Sequence, residues 1–265
     1  MIILKNRAIL PAIVGLLMLS AVPAVADWDE GDAYKMHFPQ LPDPNGWDVA
    51  YSQVMLADDW QCSETGPVSD IHFWISFRQW SEEMVPQPMG LAQVQLQIWS
   101  NNPIGASGYS TPEKMLWDRT FAPGEYSIRY AGYGEQGWCD LLLGNQEPND
   151  HSSYFQINID KIVEPFVQEE GTVYWLAANV LGVEGINQPG WKTADVDRYP
   201  EPYTGQPYED TAVFLYDQWY KVEIEGRPRD FAFVITTIPE PSSLVLLGMA
   251  GVGAILFFRR KRRAK

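Results

Sequence analysis

The chain has 265 residues, room for one or two domains, and carries 34 Asp and Glu against 19 Lys and Arg, a formal net charge of −15. A surface this acidic repels phosphate backbones and anionic lipid, which excludes nucleic-acid binding and adsorption to anionic membranes as the task of the body. The two ends, residues 1–26 and 239–265, hold 8 of the basic residues but only 1 of the acidic ones, so the 212 residues between them carry 33 acidic against 11 basic side chains.

Lys5 and Arg7 form a positive n-region ahead of an apolar run over 8–22. Ala24 and Ala26 then place small residues at the two positions a signal peptidase reads, so the spacing predicts a signal peptide over 1–26 and a mature chain that begins at Asp27. Export puts Cys62 and Cys139 in an oxidising compartment. Two cysteines there most simply form a Cys62–Cys139 disulfide, which would stabilise the fold by about 4 kcal/mol through its long loop. Two unrelated buried thiols are the alternative. A metal site built from these cysteines and His37, His72 and His151 is not expected, because no pair stands at ligand spacing.

Across 27–238 the patterning has period 2, with almost none of period 3.6. In 71–78 the odd positions are apolar, although Trp74 spoils the alternation. Residues 93–99 alternate cleanly through Val94, Leu96 and Ile98, and 154–160 do so through Phe155, Ile157 and Ile159. Further strands are predicted at 53–59, 115–121, 126–131, 172–180, 213–224 and 230–237, rich in β-branched and aromatic residues and separated by Gly, Pro, Asn and Asp. The one helical turn expected is 161–170, limited by Pro165. About nine strands without a long helix predict an all-β fold, an antiparallel β-sandwich of jelly-roll type.

Two stretches, 80–90 and 182–207, read as irregular. The second holds Pro189, Pro200, Pro202 and Pro207 with Trp191, Tyr199 and Tyr203, and a long aromatic loop on a rigid scaffold either binds a ligand or folds back over a sheet.

After the body, Pro239-Glu240-Pro241 excludes helix and strand and favours an exposed, extended segment. Residues 242–258 are apolar or small, and at 1.5 Å per residue they make a helix of about 25 Å, a short membrane span. Arg259, Arg260, Lys261, Arg262 and Arg263 follow, a cluster that stays in the cytoplasm and, with Ala264 and Lys265, forms a basic tail over 259–265. The acidic body therefore lies across the membrane from both basic ends.

This order of Pro-Glu-Pro, short apolar helix and Arg-rich end resembles the PEP-CTERM sorting signal of exopolysaccharide-producing Gram-negative bacteria. The resemblance implies an exosortase, a membrane-embedded transpeptidase-like enzyme, that cuts near Pro239, Glu240 and Pro241 and releases or re-anchors the protein. Leu56-Ala-Asp-Asp-Trp60 with Cys62, the run from Gly66 to Trp74, Leu116-Trp-Asp-Arg-Thr-Phe121, Gly137-Trp138 and the run from Asp230 to Ile235 resemble a domain of unknown function found in bacterial extracellular proteins with this same tail. That second resemblance implies no activity.

Chemistry is sparse. Asp58, Asp59, Glu169, Glu170, Asp195 and Asp197 are carboxylates of the kind a glycosidase pairs across a sugar bond, but no motif fixes any pair. There is no Gly-x-Ser-x-Gly, no phosphate-binding Gly-rich loop and no His-Glu-x-x-His, so enzymatic activity is not expected. Asp58 with Asp59, and Asp195 with Asp197, are candidate Ca²⁺ ligands, with turn hydrogen bonding as the competing reading. Ca²⁺ is the one cofactor these carboxylates suggest. Most of the 11 tryptophans suit a core, whereas Trp99 on a Gln-rich strand face and Trp191 in the long loop are placed to stack on a sugar. The reading is an exported, non-catalytic protein, membrane-anchored before an exosortase delivers it to the surface or matrix, with signal peptidase, exosortase and matrix polysaccharide as partners. A Ca²⁺-assisted carbohydrate-binding module and a secreted carbohydrate-active enzyme are the rivals.

Overall fold

The computed structural model describes residues 27–51, 54–87, 90–104, 108–185, 187–198 and 211–236. The signal peptide expected over 1–26, the sorting motif, the span expected at 242–258 and the basic tail lie outside the described residues. Among the described residues no helix is long and apolar enough to cross a membrane.

The strands are, in order, β1 (Trp47–Ala50), β2 (Met55–Gln61), β3 (Gly66–Pro67), β4 (Asp70–Phe77), β5 (Leu91–Asn102), β6 (Thr111–Phe121), β7 (Ser127–Asp140) and β8 (Asn145–Ile159). They continue with β9 (Val167–Gln168), β10 (Val173–Gly182), β11 (Pro189–Lys192), β12 (Val213–Leu215), β13 (Trp219–Lys221), β14 (Glu223–Ile224), β15 (Arg227–Pro228) and β16 (Phe233–Thr236). The only helical element described is a 3₁₀ turn, Val196–Arg198. The fold is all-β. The helical turn expected over 161–170 is absent: those residues run irregularly into β9, which pairs with β3.

One sheet has the order β13-β12-β2-β10-β5-β6. The other has the order β11-β1-β7-β8-β4-β16, with a further pairing of β11 to β4. One edge of β4 is shared: its first half pairs with β16 and its second half with β11. Because β11 also pairs with β1, strands β1, β7, β8, β4 and β11 form a closed five-stranded ring. This differs from the open antiparallel layer of a jelly roll, and the β1–β7 pairing is parallel. Closing the sheet removes the edges that an open layer exposes to aggregation.

The two sheets share one apolar core. Val94, Leu96 and Ile98 of β5 meet the same cluster as Ile71, Phe73, Ile75 and Phe77 of β4 and Phe155, Ile157 and Ile159 of β8, all buried. Each contributes about 1.5–3 kcal/mol by leaving water. Trp74 breaks the alternation of β4 because its own face is also covered: Trp28 packs edge-on against it at 6.1 Å.

The stretch expected to be irregular at 182–207 contains β11, the strand that closes the ring. Its glycine has a steric reason, since a Cβ on Gly190 would lie 2.8 Å from the Trp138 ring.

Candidate functional site

The ring brings together a buried polar cluster. Residues alternate across each strand, so the face opposite Phe73, Ile75 and Phe155 carries Ser76, Tyr154 and their neighbours. Asp48 on β1 stands directly opposite Lys192 on β11, and Gln136 on β7 opposite His151 on β8. Lys192 Nζ lies 3.3 Å from Asp48 Oδ2, and His151 Nε2 lies 3.0 Å from the same oxygen. The Asp48, His151 and Lys192 side chains have no exposed surface.

Lys192 also donates to Gln136 Oε1, which accepts from Ser76 Oγ at 3.1 Å, and the Lys192 ammonium sits 5.3 Å from the centre of the Tyr154 ring. Behind His151, Nδ1 is 3.1 Å from Asp150 Oδ1, and Asp150 Oδ2 is 3.8 Å from Nε of the partly exposed Arg78. Trp138 packs edge-on against His151 at 5.9 Å.

Burial presses on every ionisable group of this cluster. It would raise Asp48, but Lys192, His151 and Ser76 outweigh it and hold the carboxyl below its ordinary range. Burial lowers the Lys192 ammonium, against the pull of Asp48 and Asp43. Burial would lower His151 too, yet its hydrogen bonds to Asp150 and Asp48 win and raise it. Burial, then the charge on Asp48, pushes the Tyr51 phenol well above its usual value. Several buried atoms around the pair meet no hydrogen-bond partner: Asp48 Oδ1, Tyr51 OH, Gln136 Nε2, Trp138 Nε1 and Ser153 Oγ.

None of these residues stands out in the sequence. Asp48 and Lys192 are 144 positions apart, and each is a charged residue directly after a tryptophan. The one local signal is Lys192 itself, directly after Trp191 on a strand otherwise read as a loop.

The residues singled out from the sequence fare differently. Cys62 and Cys139 are both free and buried, so the expected disulfide is not formed. They belong to different sheets: Cys62 follows β2 and its thiol donates to Glu64 O at 3.2 Å, while Cys139 lies in β7 between Val49 and Gln146. Burial pushes the Cys139 thiol up to about 12.

Trp191 is fully buried, stacked on Phe231 at 4.6 Å with an interplanar angle of 8°, and its Nε1 donates to Ala232 O. It is core and unavailable to a sugar. Trp99 is half-buried on the outer side of the sheet that holds β5, where Trp219 meets it edge-on at 5.8 Å and its Nε1 donates to Gln97.

Asp58 is buried, and its Oδ2 accepts from Phe231 N at 2.6 Å and Gln40 Nε2 at 3.2 Å. Burial, with Asp230 and Asp59 nearby, drives its carboxyl well above the ordinary range. Asp59 is buried beside it. Asp195 Oδ1 accepts from Asp197 N, which caps the 3₁₀ turn. These are the hydrogen bonds of turns and strands, and among the described residues no three His, Cys, Asp or Glu side chains gather as a metal site.

Asp27, the expected first residue of the mature chain, is anchored. Its Oδ1 accepts from Asn158 Nδ2 at 3.0 Å, and the Trp28 carbonyl accepts from Arg129 and Gln156.

Two surface clefts stand out among the described residues. One of about 220 Å³ lies between Trp28, Arg129, Tyr154 and Arg198, below the roughly 300–1,000 Å³ of small-molecule sites. Its carboxylates are already paired, Asp29 with Arg129 and Glu30 with Arg198. The other, about 340 Å³, holds Glu125, bonded to Ala122 N and Arg119, and Asp160, paired with Lys161.

Compared with known proteins, residues 36–236 match a domain of unknown function, DUF7901, and residues 237–263 match the PEP-CTERM protein-sorting motif. No curated protein and no solved structure matches the chain. The sorting motif marks an exported protein processed at the membrane by an exosortase. With the domain match spanning most of its length, the chain belongs to the DUF7901 family and ends in a PEP-CTERM sorting signal.

Proposed function

We propose that the body is a non-catalytic structural or adhesive component of the cell surface or extracellular matrix, left there once an exosortase has acted at Pro239-Glu240-Pro241. The observation that carries this reading is the junction. β16, paired to β4 at the end of the strand order, stops at Thr236, and the sorting motif starts at 237. Pro239 follows Thr236 by three residues, at most about 10 Å of chain. The folded body is therefore held against the membrane until it is cut.

Three features support a role without catalysis. The carboxylates of both clefts are tied to Arg, Lys or backbone partners, Trp191 is core, and the charged cluster of the ring is sealed from solvent. The two sheets then serve as a sandwich-like scaffold whose acidic outer surface meets the matrix, with polysaccharide as the binding partner.

Fractionation by immunoblot tests this. Replacing Pro239, Glu240 and Pro241 by alanine is expected to leave export intact but trap an uncut, membrane-bound form. Deleting the chain from Pro239 onward is expected to leave a soluble domain that never reaches the surface. A triple-alanine variant that reaches the surface at wild-type size would overturn the sorting step. Loss of a hydrolytic activity on matrix polysaccharide in a strain lacking the protein, restored by the purified body, would overturn the non-catalytic role.

A further inference from the structure

We propose that Asp48 and Lys192 condense into an intramolecular side-chain amide, an isopeptide bond that covalently closes the five-stranded ring. The inference is independent of the role proposed above.

Four observations carry it. First, the two residues are direct partners in the antiparallel β1–β11 register, which brings side chains of the same face together. Second, Lys192 Nζ already stands 3.3 Å from Asp48 Oδ2, and both strands are buried at every position. Third, His151 Nε2 contacts that same oxygen at 3.0 Å, backed by Asp150 and then Arg78, a line of titratable groups leading from the pair to partly exposed surface. Fourth, as an ion pair the arrangement is poor. One carboxylate oxygen takes both the Lys192 and the His151 contacts, while Oδ1 meets no donor at hydrogen-bonding geometry, although Ser76 is near enough to influence the carboxyl. A fully buried charge pair recovers its desolvation cost only when its remaining lone pairs are satisfied. Converting two buried charges into one neutral amide removes that cost.

The chemistry balances without a co-reactant. One proton passes from the Lys192 ammonium to Asp48 Oδ2, giving the neutral amine and the neutral acid. The Nζ lone pair attacks Asp48 Cγ and forms the C–N bond. His151 takes a proton from Nζ and returns it to the Oδ2 hydroxyl, the Cγ–Oδ2 bond breaks, and Oδ2 leaves as water. Oδ1 remains as the amide oxygen, and no atom is oxidised or reduced. Burial, which lowers the Lys192 ammonium, favours the amine this step needs. The released water has polar partners at hand, since Gln136 Nε2 and Trp138 Nε1 are otherwise unbonded.

Intact-mass spectrometry of the exported chain, reduced and denatured, tests the bond. After its termini are assigned, the chain is expected to weigh one water less than its sequence. Digestion is expected to yield a linked peptide pair containing Asp48 and Lys192. Lys192→Met is expected to restore the full mass and abolish the linked pair, and His151→Gln to leave a measurable fraction unlinked. A wild-type chain at full sequence mass, with Lys192 free to react with an amine reagent once unfolded, would overturn the proposal whatever the variants do. So would a water loss mapped to other residues.

Discussion

Truncation of Trp191 to alanine separates a core residue from a ligand residue. The indole is fully buried among Tyr51, Phe73, Phe231 and Phe233. Emptying such a site costs about 3–5 kcal/mol in lost transfer energy and cavity formation. The near-parallel stack on Phe231 adds about 0.5–1.5 kcal/mol. The Nε1 hydrogen bond adds about 0.5 kcal/mol, at the modest end because the Ala232 carbonyl keeps the Trp74 N–H. The sum, about 4–7 kcal/mol, rivals the total stability of about 5–15 kcal/mol of an ordinary domain. Urea unfolding followed by circular dichroism is the assay, with half-buried Trp99→Ala expected to lose less than half as much. A Trp191→Ala chain that unfolds within about 1 kcal/mol of wild type, yet no longer binds matrix polysaccharide, would refute the core assignment and return Trp191 to the ligand role.

Three further outcomes follow from the geometry. A Cβ on Gly134 would lie 1.9 Å from the Pro44 carbonyl oxygen, so Gly134→Ala must displace backbone and is expected to lower stability by about 1–3 kcal/mol or more, read as a lower melting temperature. Burial holds His37 down to about 3 against its ordinary value near 6.5, so the unfolded chain takes up the extra proton: this contribution is complete above about pH 6.5 and is lost as pH falls toward 3, and His37→Gln is expected to flatten that part of a stability–pH curve. Both thiols are expected to react with a thiol reagent only after unfolding, giving two per chain without reductant; a chain that yields none until reduced would restore the Cys62–Cys139 bond.

The strands that bury one face on the shared core were the most legible. The alternations through Val94, Leu96 and Ile98 and through Phe155, Ile157 and Ile159 report that geometry directly. β1 and β11 were not legible, because Trp-Asp-Val-Ala and Pro-Gly-Trp-Lys are four residues long, buried on both faces and free of alternation. β7 runs nine residues past its expected end through Gly132, Gly134 and Gly137, which read as turn signals. Each sits against a neighbour a Cβ would strike, Tyr154, Pro44 or Trp47. The run 213–224 divides into β12, β13 and β14 because 216–218 make a turn and, after Val222, β14 pairs with β15 instead. The buried cluster could not be read at all: it exists only through ring closure, which joins residues from opposite ends of the domain. The tail was the opposite case, since its three parts are contiguous and each acts through composition alone.

The most direct test is the sequence of both termini of the chain recovered from the cell surface. Signal-peptide removal followed by exosortase sorting predicts a chain that begins at Asp27 and ends near Pro239-Glu240-Pro241, without the apolar segment 242–258 or the basic residues 259–265. A surface chain that still carries Arg259 to Arg263 would contradict it.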